Sequence, residues 1–161
     1  MRFDYELVGK IGSMALISRA DNDIDYNIFA RLGRELRPGM IWVSSGAVEI
    51  GRLDYLRRQG RELLGDPEEV KADYAAQGQA ILMAEYRRYI RPEYSVRQLL
   101  VEHTHFNDAE RSAHIRSFLL RCAAQNAVPI VNYNDSVSVE EERKMELAHA
   151  RAHGAHAFEC V

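Results

Sequence analysis

Short apolar runs that break off on Gly, Ser or Asn turns alternate here with longer stretches of helical spacing, and this alternation constrains the fold more than any other feature. Residues 5–11 form a β-like run that ends on Gly12-Ser13. Ile24, Ile28, Leu32 and Leu36 mark a helix over 24–36, and Pro38-Gly39 stops it. Met40–Ser44 is a buried-strand pattern running into Ser45-Gly46, and residues 47–59 have helical character. Asp66 is placed to cap a long helix from Pro67, with Glu68 and Glu69 in its first turn, and Arg91-Pro92 ends it after Ile90. A strand over 96–101, a helix over 108–125 capped by Asp108 and a strand over 128–131 follow, with Pro129 at an early strand position. A charged helix over 140–153, closed by Gly154, and the start of one more strand at 155–161 complete the pattern. Strands alternating with helices predict a three-layer α-β-α sandwich with a mainly parallel central sheet, as one domain over residues 1–161.

Composition narrows the class. A chain of 161 residues with 47% hydrophobic and 28% charged residues can bury a core without staples. A net charge of −3 gives no electrostatic case for nucleic acid or an anionic membrane. No apolar run approaches the roughly 20 residues that span a bilayer, and the charged start is unlike a signal peptide, so a cytoplasmic protein is expected. Cys122 and Cys160 form no framework and are expected to be reduced thiols. The pairs His103/His105 and His149/His153 lack a carboxylate or Cys at a recognised spacing, so no metal site is expected from them.

In parallel sheets, ligands sit beyond the carboxyl ends of the strands. Three such ends carry chemistry here. Lys10 precedes a Gly12-Ser13 turn, whose backbone N–H groups can approach an anion; the spacing is not that of a Walker A loop. Ser45-Gly46-Ala47 enters a helix whose free N–H groups and positive dipole end can seat an anion. Asn132, Asn134 and Asp135 follow a strand and can hydrogen-bond an ammonium, a carboxylate or a metal-bound water. Singly, each reads as an ordinary turn, an N-cap serine or an Asx turn. Three in one sheet are harder to assign to chance.

These residues resemble the amino-acid kinase family. Residues 8–16 look like its opening strand and loop. Residues 42–52 are similar to the Ser-Gly-Ala segment of the family's glutamate 5-kinases, and residues 75–86, with Gly78-Gln79, to their Gly-Gln helix. Residues 99–111 followed by 128–137 look like their acceptor loop and Asn-x-Asn-Asp segment. The resemblance implies transfer of the γ-phosphoryl of ATP, with Mg2+, to an amino-acid carboxylate, giving an acyl phosphate as in proline biosynthesis. It implies that Lys10 neutralises charge on the transferring group, and that Gly12, Ser13, Gly46 and Ala47 offer N–H donors to phosphate. Ser45, Asn134 and Asp135 would hold the acceptor. Positioning plus cation and N–H stabilisation is what phosphoryl transfer needs.

His114 and Ser117 stand where those kinases carry an Asn and an acidic or amide residue. A serine cannot offer a carboxylate to a substrate ammonium, so acetylglutamate, aspartate and UMP stay beside glutamate as acceptors. Family members continue into a nucleotide-binding lobe, so an acceptor-binding portion truncated before that lobe is expected, inactive by itself. A ligand-binding or regulatory subunit is the alternative. The small-residue stripe over 75–83 suggests a two-fold homodimer, as that helix pairs subunits in the family.

Overall fold

The structure, a computed structural model, describes residues 7–137. In chain order its elements are β1 (Leu7–Ile11), a 3-10 turn (Ser13–Leu16), β2 (Ile17–Ser18), β3 (Asp23–Ile24), α1 (Tyr26–Glu35), β4 (Met40–Ser44), α2 (Ala47–Gln59), α3 (Pro67–Tyr89), β5 (Ser95–Val101), α4 (His103–Asn107), α5 (Ala109–Ala124) and β6 (Ala127–Tyr133). Four strands form one sheet in the order β1-β4-β6-β5, with every neighbouring pair parallel. Strands β2 and β3 form a small antiparallel pair of their own.

The layers follow from the strand alternation. Val128 and Ile130 of β6 pack with Phe29 of α1, Ile50 of α2, and Leu82 and Tyr86 of α3, all fully buried. Each such side chain contributes about 1.5–3 kcal/mol by leaving water. On the other face, Arg97 lies opposite Pro129 in register and reaches Cys122 Sγ of α5 at 4.0 Å. Helices therefore cover both faces, as the alternation requires. Burial pushes the Cys122 thiol up despite the nearby Arg97, which fits a buried reduced cysteine.

Asp66 accepts from Glu68 N and Glu69 N with Pro67 in the first turn, and Asp108 accepts from Arg111 N, so both expected caps form. The first helix is shorter than its spacing suggested. Ile24 belongs to β3, and Asp25 caps α1 by accepting from Asn27 N and Ile28 N. Pro129 sits in an interior strand. Pairing with β4 begins only at Ile130, so the missing N–H costs no ladder bond on that side. The expected helix over 140–153 and strand over 155–161, with His149, His153 and Cys160, lie outside the described residues. Among the described residues, no helix is long and apolar enough to cross a membrane.

The helices α2 and α3 cross with their backbones in contact. A Cβ built on Gly78 would stand 1.8 Å from Ala47 O, and one on Gly51 would stand 1.9 Å from Tyr74 O. Much of the small-residue stripe is thus spent on packing within the chain.

Beside that crossing, Tyr74 Oη donates to Glu62 Oε2 at 2.8 Å, and Arg52 pairs with Glu62 Oε1. The Tyr74 bond, and then Arg52, hold the Glu62 carboxyl below its usual value of 4.5. A depressed carboxyl stabilises the fold above its unfolded pKa and loses that contribution as pH falls through the folded value. Glu62→Gln should therefore lower the urea midpoint at pH 7, with the gap to wild type closing as pH drops below 4.5. A gap that stays constant down to pH 3 would show that the charge is irrelevant.

Candidate functional site

All four parallel strands end on one edge of the sheet. Gly12-Ser13 follows β1, Ser45-Gly46 follows β4, Glu102 follows β5 and Asn134 follows β6. Two backbone bonds lock these ends together. Ser45 N donates to Ile11 O at 3.1 Å, and Asn134 N donates to Val101 O at 2.9 Å.

The turns after β1 and β4 touch. Gly46 caps α2 in the left-handed region, at φ 111° and ψ −5°, which favours glycine. A Cβ there would meet Leu16 Cδ1 at 2.9 Å and Ser13 Cα at 3.7 Å. No side chain caps α2, so Ser45 is not the N-cap serine of the bland reading. The first-turn N–H groups at the positive end of α2 have no side-chain cap, and Gly46 at that end abuts the Ser13 turn. Around Gly12 a built Cβ finds no atom within 4 Å, so a ligand can approach that backbone closely. This donor set fits phosphate oxygens. Among the described residues, no three His, Cys, Asp or Glu side chains converge as a metal site. Mg2+ is commonly held through the nucleotide's own phosphates with one or two carboxylates.

Ala47 also borders a narrow crevice of about 10 Å³, lined with Gln79, Asn134 and Asp135 among others. It holds roughly one water and no amino acid as it stands. Its polar walls are tied to one another. Asn134 Nδ2 donates to Glu102 Oε1 at 2.9 Å, and Ser136 Oγ donates to Asn134 Oδ1 at 3.1 Å. Lys71 Nζ lies 3.7 Å from Asp135 Oδ1. The buried Asn132 donates to Gln79 Oε1 at 2.8 Å, and Gln79 Nε2 donates to Gln98 Oε1 at 3.0 Å.

Ser13, Gly46, Ala47, Asn134 and Asp135 thus come together from residues up to 122 positions apart (135 minus 13). Lys10 is exposed on β1, in register with Val43, one residue before the strand end. His114 lines a different and wider cleft of about 730 Å³ with Leu99, His105, Asp108 and Arg111. Leu100 borders both spaces. Ser117 is exposed and accepts from Arg121 Nη1 at 2.8 Å. It borders neither space, so these two residues are not joined to the Asn134 group.

Two residues at this edge are absent from the sequence-based expectations. Glu102 caps α4 in a reciprocal box, in which Glu102 N donates to His105 Nδ1 at 3.1 Å. The Glu-x-x-His pattern before a five-residue helix is too short a signal to read beforehand. Tyr86 joins α3 to the edge from below. It accepts from Trp42 Nε1 at 2.9 Å and donates to Ser44 Oγ at 2.8 Å, and Ser44 Oγ donates to Ser45 O at 3.0 Å. Burial pushes the Tyr86 phenol up, keeping it neutral. Tyr86→Phe should cost about 1–3 kcal/mol by leaving the Trp42 N–H without its partner. Thermal unfolding monitored through Trp42 checks this; an unchanged Tm would show that the relay contributes nothing.

The sequence is similar to glutamate 5-kinases over most of its length. Identity to the glutamate 5-kinase of Alkaliphilus metalliredigens is 33% over 145 residues, covering 86% of this chain and 53% of that protein. The glutamate 5-kinase of Cupriavidus pinatubonensis is 34% identical over 145 residues, covering 84% and 37%. That of Desulfotalea psychrophila is 36% identical over 142 residues, covering 84% and 36%. The chain spans about half the length of the first of these relatives and little more than a third of the others. No family model matches it.

Proposed function

We propose that this glutamate 5-kinase-like chain forms the acceptor-binding portion of an ATP-dependent kinase that phosphorylates the side-chain carboxylate of an amino acid, glutamate first among them. One observation carries the reading. The turns after β1 and β4 touch at Ser13 and Gly46, and Ala47 borders the same crevice as Asn134 and Asp135. A donor set for phosphate and a polar set for an amino acid therefore adjoin.

In this reading ATP, with Mg2+ on its phosphates, supplies the phosphoryl group. The N–H groups of Gly12, Ser13, Gly46 and Ala47 meet the equatorial oxygens, and Lys10 neutralises their charge. Ser45 and Asn134 hold the acceptor carboxylate in line, and Asp135, fixed by Lys71, orders the same segment. His114 acts on acceptor entry from the neighbouring cleft, which shares Leu100 with the crevice, while Ser117, exposed and bordering neither space, has no part in it. The acyl phosphate formed suits the first step towards proline. A two-fold pairing through α3 belongs to the proposal, because Ala76, Ala80 and Ala84 are exposed at four-residue spacing.

Calorimetric titration of the chain with glutamate, followed by a coupled ADP-release assay of the full-length kinase that contains it with glutamate, N-acetylglutamate, aspartate and UMP, tests the reading. Binding of glutamate together with glutamate-dependent ADP release is expected. Binding without release would favour a ligand-binding subunit. Neither binding nor release with any of the four would overturn the proposal.

A further inference from the structure

We infer that Glu102 is the carboxylate that receives the ammonium group of the acceptor and so selects a free amino acid over its N-acylated or deaminated analogues. This rests on the acceptor reading above and names the chemistry that reading leaves open.

An amino-acid acceptor brings a cation with it, and a cation held in a partly buried pocket needs an opposite charge within about 4–6 Å. Two carboxylates stand beside Asn134. Asp135 faces Lys71 Nζ at 3.7 Å, so its charge is already met by a cation. Glu102 differs in its partners. Its Oε1 accepts from the neutral amide of Asn134 at 2.9 Å, while the backbone N–H of His105 donates to the Glu102 backbone oxygen at 3.1 Å. The Asn134 amide orders the carboxylate without cancelling its charge. His105 Nδ1 accepts from Glu102 N at 3.1 Å, so that nitrogen carries no proton towards Glu102.

Position agrees with charge. Glu102 follows β5, the neighbour of β6, and Asn134 N is pinned to Val101 O at 2.9 Å. A group that hydrogen-bonds the Asn134 side chain is therefore within a few ångströms of Glu102. Ser117, exposed and engaged with Arg121, offers no charge there. Glu102 is bonded to one residue of the narrow crevice and one of the wide cleft. Its amide partner Asn134 lines the first, and its capping partner His105 lines the second.

The test is a calorimetric titration of the chain with glutamate, N-acetylglutamate and glutarate, in the wild type and in Glu102→Gln and Glu102→Asp. Wild type should bind glutamate at least tenfold more tightly than either analogue. Glu102→Gln should weaken glutamate at least tenfold and abolish the preference, while Glu102→Asp, which keeps the charge, should retain most of it. A folded Glu102→Gln, judged by circular dichroism, that keeps both affinity and preference would overturn the inference. If Glu102→Gln does not fold, the wild-type series decides, because glutarate bound as tightly as glutamate overturns it equally. Wild type that binds none of the three overturns the acceptor reading itself, and this inference with it.

Discussion

Gly78→Ala should lower the stability of the chain by about 3 kcal/mol, the upper end of the usual cost of overpacking. The added methyl would stand 1.8 Å from Ala47 O and 2.4 Å from Gly51 N. Both are backbone atoms in the middle of a helix crossing, so no rotamer change relieves the clash and α2 must move as a body. Gly12→Ala is the matching control. Its Cβ meets nothing within 4 Å and its φ is −81°, so its urea midpoint should stay near wild type. Denaturation followed by far-UV circular dichroism measures both. Equal midpoints for wild type and Gly78→Ala would show that α2 and α3 separate at little cost. Because Ala47 opens α2 and borders the crevice, the same substitution should also displace that end of the site.

Lys10→Ala should reduce turnover of the kinase by about a hundredfold or more while leaving acceptor affinity near wild type, the usual result of removing one charge stabiliser from a transition state. Lys10 is exposed near the carboxyl end of β1, two residues before the turn begins at Gly12. In the proposed reading its charge bears on the transferring group more than on the bound amino acid. Steady-state kinetics with calorimetry separates the two effects. A loss confined to acceptor affinity would move Lys10 from the phosphoryl side to the acceptor side, and unchanged turnover would leave it a surface lysine.

Much of the architecture was legible in sequence because strong local signals coincide with it. Met40–Ser44, Ala47–Gln59 and the Asp66-Pro67 helix start announce themselves through apolar runs and capping chemistry, and the structure reproduces them. The β2–β3 pair escaped because two-residue strands carry no periodicity. Ile24 joined a helical pattern by spacing alone, while the Asp25 cap that ends the strand lies one residue further on. The site was legible in its turns and not in its pairings. Gly12-Ser13, Ser45-Gly46 and Asn134-Asp135 mark strand ends, and strand ends in a parallel sheet share an edge. The Glu102–Asn134 and Tyr86–Ser44 bonds join residues 32 and 42 positions apart, and nothing local signals them. His114 and Ser117 drew attention through resemblance alone. The helix α5 directs them to a different cleft and to solvent.

The sheet order has a consequence for how the chain is made. β6 is the last of the four strands to leave the ribosome, yet it lies between β4 and β5. Until residue 127 has emerged, both neighbours present open edges, with Met40–Ser44 waiting for a partner nearly ninety residues downstream. Open apolar edges are templates for pairing between chains, and contacts of such long sequence separation form slowly. A nascent chain stalled anywhere between β5 and β6 would hold an empty slot in the middle of its sheet. Closure of that slot is also what brings Asn134 to Glu102 and Ala47, so assembly of the site and joining of the four described strands are a single event.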